Sequence, residues 1–141
     1  MADAQYITHG PVIGALMPTS ARFYLRCSSP TAFTIALSTD SLFQSNVLKF
    51  NNETSAQLDH SIITLLNNLT PSTRYFYKVE FDGKADERRG SFKTFPSVGE
   101  RGHYVFTSGS CQESKDMKTF DRMSEINPDL FIHVGDFTYP S

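Results

Sequence analysis

Leu69-Thr70-Pro71-Ser72-Thr73-Arg74-Tyr75 decides the fold of this 141-residue chain. The order Leu-x-Pro-x-Thr-x-Tyr is that of a tyrosine corner. In this arrangement the Tyr opens a strand, and its hydroxyl bonds back to backbone a few residues upstream, pinning the crossing between two sheets. Downstream, Tyr75, Tyr77, Val79 and Phe81 share one face of a strand, and Lys78 and Glu80 take the other. A period of two with one charged face marks a half-buried strand. Asp82-Gly83 is a hairpin signal, because both positions tolerate the left-handed backbone that a two-residue turn requires. The mixed-charge stretch 82–89 reads as a solvated hairpin tip, and 90–94 as the last strand, closed by Phe95-Pro96-Ser97.

Upstream of the corner, 11–16 reads as a first short strand ended by Met17-Pro18-Thr19-Ser20. In 21–27, Phe23, Leu25 and Cys27 alternate with Arg22 and Arg26. Phe33, Ile35 and Leu37 alternate again. Residues 47–50 form a weaker strand before a turn at Asn51-Asn52, and 57–66 the next one. Short strands separated by turn residues, together with a tyrosine corner, predict a β-sandwich of the fibronectin type III kind over 5–96.

After a linker at 97–102 the pattern changes. Tyr104-Val105-Phe106-Thr107 is a short apolar strand, and Ser108-Gly109-Ser110-Cys111-Gln112 a loop. Residues 116–126 read as a helix, with Ser114 as its cap and Met117, Phe120, Met123 and Ile126 as an apolar stripe. Asn127-Pro128 stops it, since a residue before proline is pushed out of the helical region. Residues 130–134 form a nearly continuous apolar strand. Strand, helix, strand with buried strands is a βαβ unit, and hence a parallel pair. The predicted class is mainly β: a sandwich followed, over 103–141, by an incomplete α/β start.

Composition narrows the function classes. Hydrophobic residues are 39% and charged residues 20%, which is globular rather than disordered. A net charge of -2 gives no support to a nucleic-acid partner. No apolar run approaches the roughly 20 residues of a membrane span, and Met1-Ala2-Asp3-Ala4-Gln5 has neither the basic start nor the apolar run of a signal peptide. Two cysteines, Cys27 and Cys111, make no disulfide framework. His9, His60 and His103 have no partners at ligand spacing.

The chemistry concentrates at the ends of the two C-terminal strands. In an open α/β sheet, ligands sit outside the carboxyl ends of the strands. Cys111 follows one strand, and Asp136 and Tyr139 follow the other, within Gly135-Asp136-Phe137-Thr138-Tyr139. A right-handed crossover brings both strand ends to one edge. Thiolate, carboxylate and phenolate then converge, an anionic set suited to a highly charged ion. A phenol with a reference pKa of about 10 needs strong Lewis acidity to ionise at neutral pH, which favours Fe(III) over Mg²⁺ or Ca²⁺. A carboxylate can bridge a second ion, and two metals can clamp a phosphoryl group. His133 lies in the strand, on the opposite pleat from Val134, with its ring placed to hydrogen-bond near the site. The competing readings are a Cys27–Cys111 disulfide, which removes the ligand, and a plain turn at Gly135-Asp136.

The pieces Gly109-Ser110-Cys111-Gln112, Asn127-Pro128-Asp129-Leu130 and His133-Val134-Gly135-Asp136-Phe137-Thr138-Tyr139 together resemble the opening of the catalytic domain of the alkaline phosphatase D family. These are calcineurin-like metallophosphoesterases related to the purple acid phosphatases. His9-Gly10-Pro11-Val12-Ile13-Gly14 and Pro18-Thr19-Ser20-Ala21-Arg22 resemble the family's N-terminal sandwich. The resemblance implies hydrolysis of phosphomonoesters and phosphodiesters. It implies Cys111 and Tyr139 as iron ligands, Asp136 bridging iron to a divalent ion, calcium in this family, and an extracytoplasmic location. The remaining Asn, Asp and His ligands of such a site have no counterpart in these residues. A fragment inactive by itself is therefore expected, with self-association through exposed apolar strands such as Phe106, Phe131 and Ile132. The alternative is a stand-alone fibronectin-like binding or interaction module without catalysis.

Overall fold

The computed structural model describes residues 6–111 and 118–136. The chain divides into two compact units, Met1–Arg101 and Gly102–Ser141.

The first unit is a two-sheet sandwich. One sheet holds β1 (Ile7–Gly14), β2 (Ala21–Cys27) and β5 (Ser61–Leu66) in the order β1-β2-β5. The other holds β3 (Ala32–Ser38), β4 (Leu48–Glu53), β6 (Arg74–Phe81) and β7 (Lys84–Lys93) in the order β4-β3-β6-β7. All pairings between these strands are antiparallel. The alternating residues point inward as expected: Phe23, Leu25, Ile35, Leu37, Leu66 and Val79 are completely buried. Phe23 meets Tyr77 edge to face at 5.2 Å, and burial pushes the Tyr77 phenol up from its ordinary pKa.

The tyrosine corner is formed. The Thr70 amide donates to the Tyr75 hydroxyl at 2.9 Å. Buried Thr94 completes the junction: its hydroxyl donates to the Thr70 carbonyl at 2.7 Å and accepts the Thr73 amide at 2.9 Å. The hairpin after β6 turns on Asp82 and Gly83, both with positive φ (47° and 77°), as a primed turn requires.

In the sandwich, β1, β4, β5 and β7 have boundaries that differ from the sequence expectation. β1 begins at Ile7, not Pro11, because the strand continues through Gly10-Pro11 with shifts of register. Gly10 sits at φ +86°, and a Cβ there would lie 2.9 Å from the Tyr24 carbonyl oxygen, so only glycine suits the position. β4 runs through Asn51-Asn52 instead of turning there: the Thr34 hydroxyl donates to the Asn51 side chain and the Thr64 hydroxyl to Asn52. β5 starts only at Ser61. The residues before it form a single 3-10 turn, Ala56–Leu58, closed by left-handed Asp59, whose carboxylate takes both guanidinium arms of Arg26 at 2.9 and 3.0 Å. β7 includes residues 84–89, part of the 82–89 stretch read from sequence as a hairpin tip, because Lys84, Ala85 and Arg89 pair with β6 on either side of a bulge at 86–88.

Ala36 and Ser38 lie on the outward pleat yet are completely buried. The loop after β3 is tied to Ser38. Asp40 organises it, its carboxylate accepting the Leu42 and Gln44 amides at 2.9 Å each, while the Ser38 hydroxyl donates to the Ser45 carbonyl at 2.8 Å.

In the second unit, β8 (Phe106–Gly109) and β9 (Leu130–His133) pair in parallel, from Phe106 opposite Leu130 to Gly109 opposite His133, and α1 (Lys118–Glu125) connects them in sequence. β8 takes in Ser108 and Gly109, expected in the loop, because both pair with β9. Asp129 fixes the entry to β9, its amide donating to the Val105 carbonyl at 2.7 Å and its carboxylate accepting the Val105 amide. α1 ends at Glu125, short of the expected Ile126, and Asn127 follows with φ 47°. Met117 and the expected cap Ser114 lie outside the described residues. Phe120 of α1 meets Phe131 edge-on at 6.0 Å. On the opposite pleat, Phe106, Ile132 and Val134 stay exposed at 62%, 43% and 65%.

Two outcomes follow for the sandwich. Tyr75→Phe keeps the ring but orphans the Thr70 amide, and should lower unfolding free energy by about 1–2 kcal/mol in urea titrations with an unchanged slope. Backbone amides hold the Asp40 carboxyl below its usual range. Its contribution is therefore present above the unfolded value of about 3.9 and lost as pH falls through the lower folded value. Asp40→Ala should thus lower the urea midpoint at neutral pH, and the gap from the parent should close in strong acid. A gap independent of pH would remove the carboxylate from that role.

Candidate functional site

Parallel pairing places the carboxyl ends of β8 and β9 at the same edge, and the ladder continues past both strands. The Val134 amide donates to the Gly109 carbonyl at 2.9 Å, and the Cys111 amide to the Gly135 carbonyl at 3.3 Å. Beyond that point both segments turn through left-handed backbone, with φ 58° at Cys111, 124° at Gly135 and 49° at Asp136. Non-glycine residues adopt such values uncommonly, and this chain does so at other turns as well, Ala15 and Asn68 among them. The two turns bring side chains together: Cys111 Sγ lies 3.7 Å from Asp136 Oδ2. Of the three predicted ligands, Cys111 and Asp136 therefore meet, and Tyr139 lies outside the described residues.

The donor set suits a metal as half of a centre. Metal–donor bonds of about 2.0–2.3 Å leave two donors on one ion roughly 3–4 Å apart, and the observed 3.7 Å lies in that range. Both groups are exposed and both bind metals as anions. Among the described residues, no group of three His, Cys, Asp or Glu side chains is placed to hold an ion.

Both cysteines are free thiols, so the alternative disulfide is not formed. They differ in kind. Cys27 is completely buried in the sandwich core, and burial pushes its thiol pKa up, the setting of an inert structural cysteine. Cys111 is exposed. His133 lies on the pleat opposite Val134, and its Nδ1 accepts the Gly135 amide at 3.4 Å. The left-handed turn carries no sequence signal at Cys111, whereas Gly135-Asp136 are residue types that signal a turn by themselves.

Residues 2–96 match the family described as PhoD-like phosphatase, N-terminal domain. The chain belongs to the PhoD-like phosphatase family. Among solved structures, that of PhoD superposes with a TM-score of 0.81 and 21% identity, over 90% of this chain and 27% of that one. The chain thus spans about a quarter of the length of that PhoD. The sensor domain of the anti-sigma factor RsgI4 of Pseudobacteroides cellulosolvens matches with a TM-score of 0.52 and 17% identity, over 72% of this chain and 100% of that one. At these identities the likenesses concern fold alone. No curated protein matches the sequence.

The contrast between the two thiols of this PhoD-like chain is directly measurable. Iodoacetamide should modify one thiol of the native protein, at Cys111, and two after unfolding, as read by peptide mapping. Native modification at Cys27 would contradict its burial.

Proposed function

We propose that this chain is the N-terminal part of a metal-dependent phosphomonoesterase and phosphodiesterase, and that Cys111, Asp136 and Tyr139 are the opening ligands of its metal centre. The observation that carries the reading is the 3.7 Å approach of Cys111 Sγ to Asp136 Oδ2 at the carboxyl edge of the parallel pair, in a member of a phosphatase family. Cys111 and Tyr139 would hold Fe(III), and Asp136 would bridge it to a divalent ion, calcium by resemblance. When bound, such a pair supplies a hydroxide nucleophile at neutral pH and neutralises phosphoryl charge. The residues of this chain would orient that pair rather than touch the ester. Asp136, from its turn after β9, would hold both ions, and Cys111, from its turn after β8, would hold the iron. The substrate would be a phosphate ester.

The remaining ligands would come from outside these 141 residues, so the chain by itself should be inactive. The exposed Phe106, Ile132 and Val134 would favour self-association of the isolated chain. An extracytoplasmic location accords with the family resemblance. Among the described residues no helix is long and apolar enough to cross a membrane.

The test uses p-nitrophenyl phosphate and bis-p-nitrophenyl phosphate, with metal analysis by mass spectrometry. The 141-residue chain should show no turnover. A longer protein that carries it should contain iron and turn over ester. Cys111→Ala should empty the iron position, and Asp136→Asn should lower kcat by at least about a hundredfold. An active longer protein without iron overturns the reading, and an inert, metal-free one favours the interaction module.

A further inference from the structure

We propose that His133 is a positioning residue: its ring accepts the Gly135 amide and so fixes the turn that brings the Asp136 carboxylate to Cys111. Its bearing on catalysis rests on the metal reading above; its structural content does not.

Gly135 is the junction of the site. Its amide donates to His133 Nδ1 at 3.4 Å, and its carbonyl accepts the Cys111 amide at 3.3 Å. One residue thus links the His133 ring to the backbone of Cys111 and precedes Asp136 in the chain. Its φ of +124° is open to glycine and strained for other residues. A residue with so much backbone freedom holds a single conformation only if its polar groups are tied, and the His133 ring supplies one of the two ties. In the neutral ring an accepting Nδ1 assigns the proton to Nε2.

The ring itself is held from behind. Phe131, two residues earlier on the same pleat, meets it edge-on at 5.9 Å. Phe131 is in turn met edge-on by Phe120 of α1 at 6.0 Å. A row of three rings therefore runs from the helix to the Gly135 amide. Edge-to-face contacts of this kind contribute orientation as well as burial. Ligand sets tolerate misplacement of only about 0.5 Å, and the groups that orient them change metal affinity about 10- to 100-fold when removed. His133 occupies that orienting role, acting through Gly135.

The decisive comparison is His133→Phe against His133→Asn. Phe keeps an aromatic ring against Phe131 but has no acceptor. Asn keeps an acceptor oxygen close to the Nδ1 position. In the chain labelled with 15N-glycine, free of metal, His133→Phe should speed hydrogen exchange at the Gly135 amide at least about tenfold, and His133→Asn should leave it within a few-fold of the parent. The Gly10 and Gly90 amides should not respond, which reports that the sandwich stays folded. If His133→Phe disrupts the second unit, His133→Leu replaces it, a smaller apolar side chain that likewise has no acceptor. In a longer protein with the complete ligand set, the acceptor-less variant should lower iron affinity about 10- to 100-fold, with Asn restoring it. An unchanged Gly135 exchange rate in His133→Phe, or equal effects of Phe and Asn, overturns the proposal. A Gly135 amide that responds as stated in a protein that takes up no iron upholds the positioning of Asp136 and sinks the metal reading alone.

Discussion

The hydrogen bond from the Thr70 amide to the Tyr75 hydroxyl ties the chain where it crosses from the three-stranded to the four-stranded sheet. Other contacts converge on the same few residues. The Leu69 amide donates to the Thr19 carbonyl, which anchors the connection between β1 and β2. The Ser72 amide donates to the Phe95 carbonyl, and Thr94 bonds to both Thr70 and Thr73, which fixes the end of β7. A phenol whose ring is packed in the core and whose oxygen is bonded at the rim couples interior packing to the path of the chain at the surface. The strands before and after the crossing are held at one point, and the inward faces of both sheets are set facing each other.

The second unit depends on a different constraint. Two parallel strands need a crossover between them, and the carboxyl ends of such strands lie side by side. Everything at the candidate centre follows from that adjacency: the ladder prolonged to Val134 and Cys111, the paired left-handed turns, and the close approach of thiol to carboxylate. Parallel sheets are normally covered on both faces. Here Phe120 of α1 meets Phe131, yet both pleats stay open, with Phe131 40% and Ile132 43% exposed.

What the sequence made legible is what simple periodicity and named turn chemistry control. The inward set of β2 and β6, the tyrosine corner, the Asp82-Gly83 turn and the parallel pairing of the two C-terminal strands were readable in residue order, though the first of those strands, expected at 104–107, lies at 106–109. The boundaries that moved depend on partners distant in sequence. Asn51 and Asn52 signal a turn by themselves, but threonines on neighbouring strands satisfy their side chains and keep the backbone extended. Residues 84–89 look like a solvated tip because most of their side chains are exposed, while their backbone pairs with β6. At the candidate site, residue types pointed to Cys111 and Asp136, but not to the role of Gly135, whose importance lies in its two backbone groups rather than in any side chain.

The antiparallel pairings that close the sandwich all fall between Ile7 and Lys93. Synthesis runs from the amino terminus, and domains fold as units while the chain lengthens. The sandwich thus has its full set of strand partners before Phe106 leaves the ribosome, and its aromatic core can be buried by then. Among the described residues, β8 and β9 pair with each other alone. The sandwich is therefore complete first, and the segment carrying β8 and β9 emerges behind it with Phe106, Ile132 and Val134 exposed.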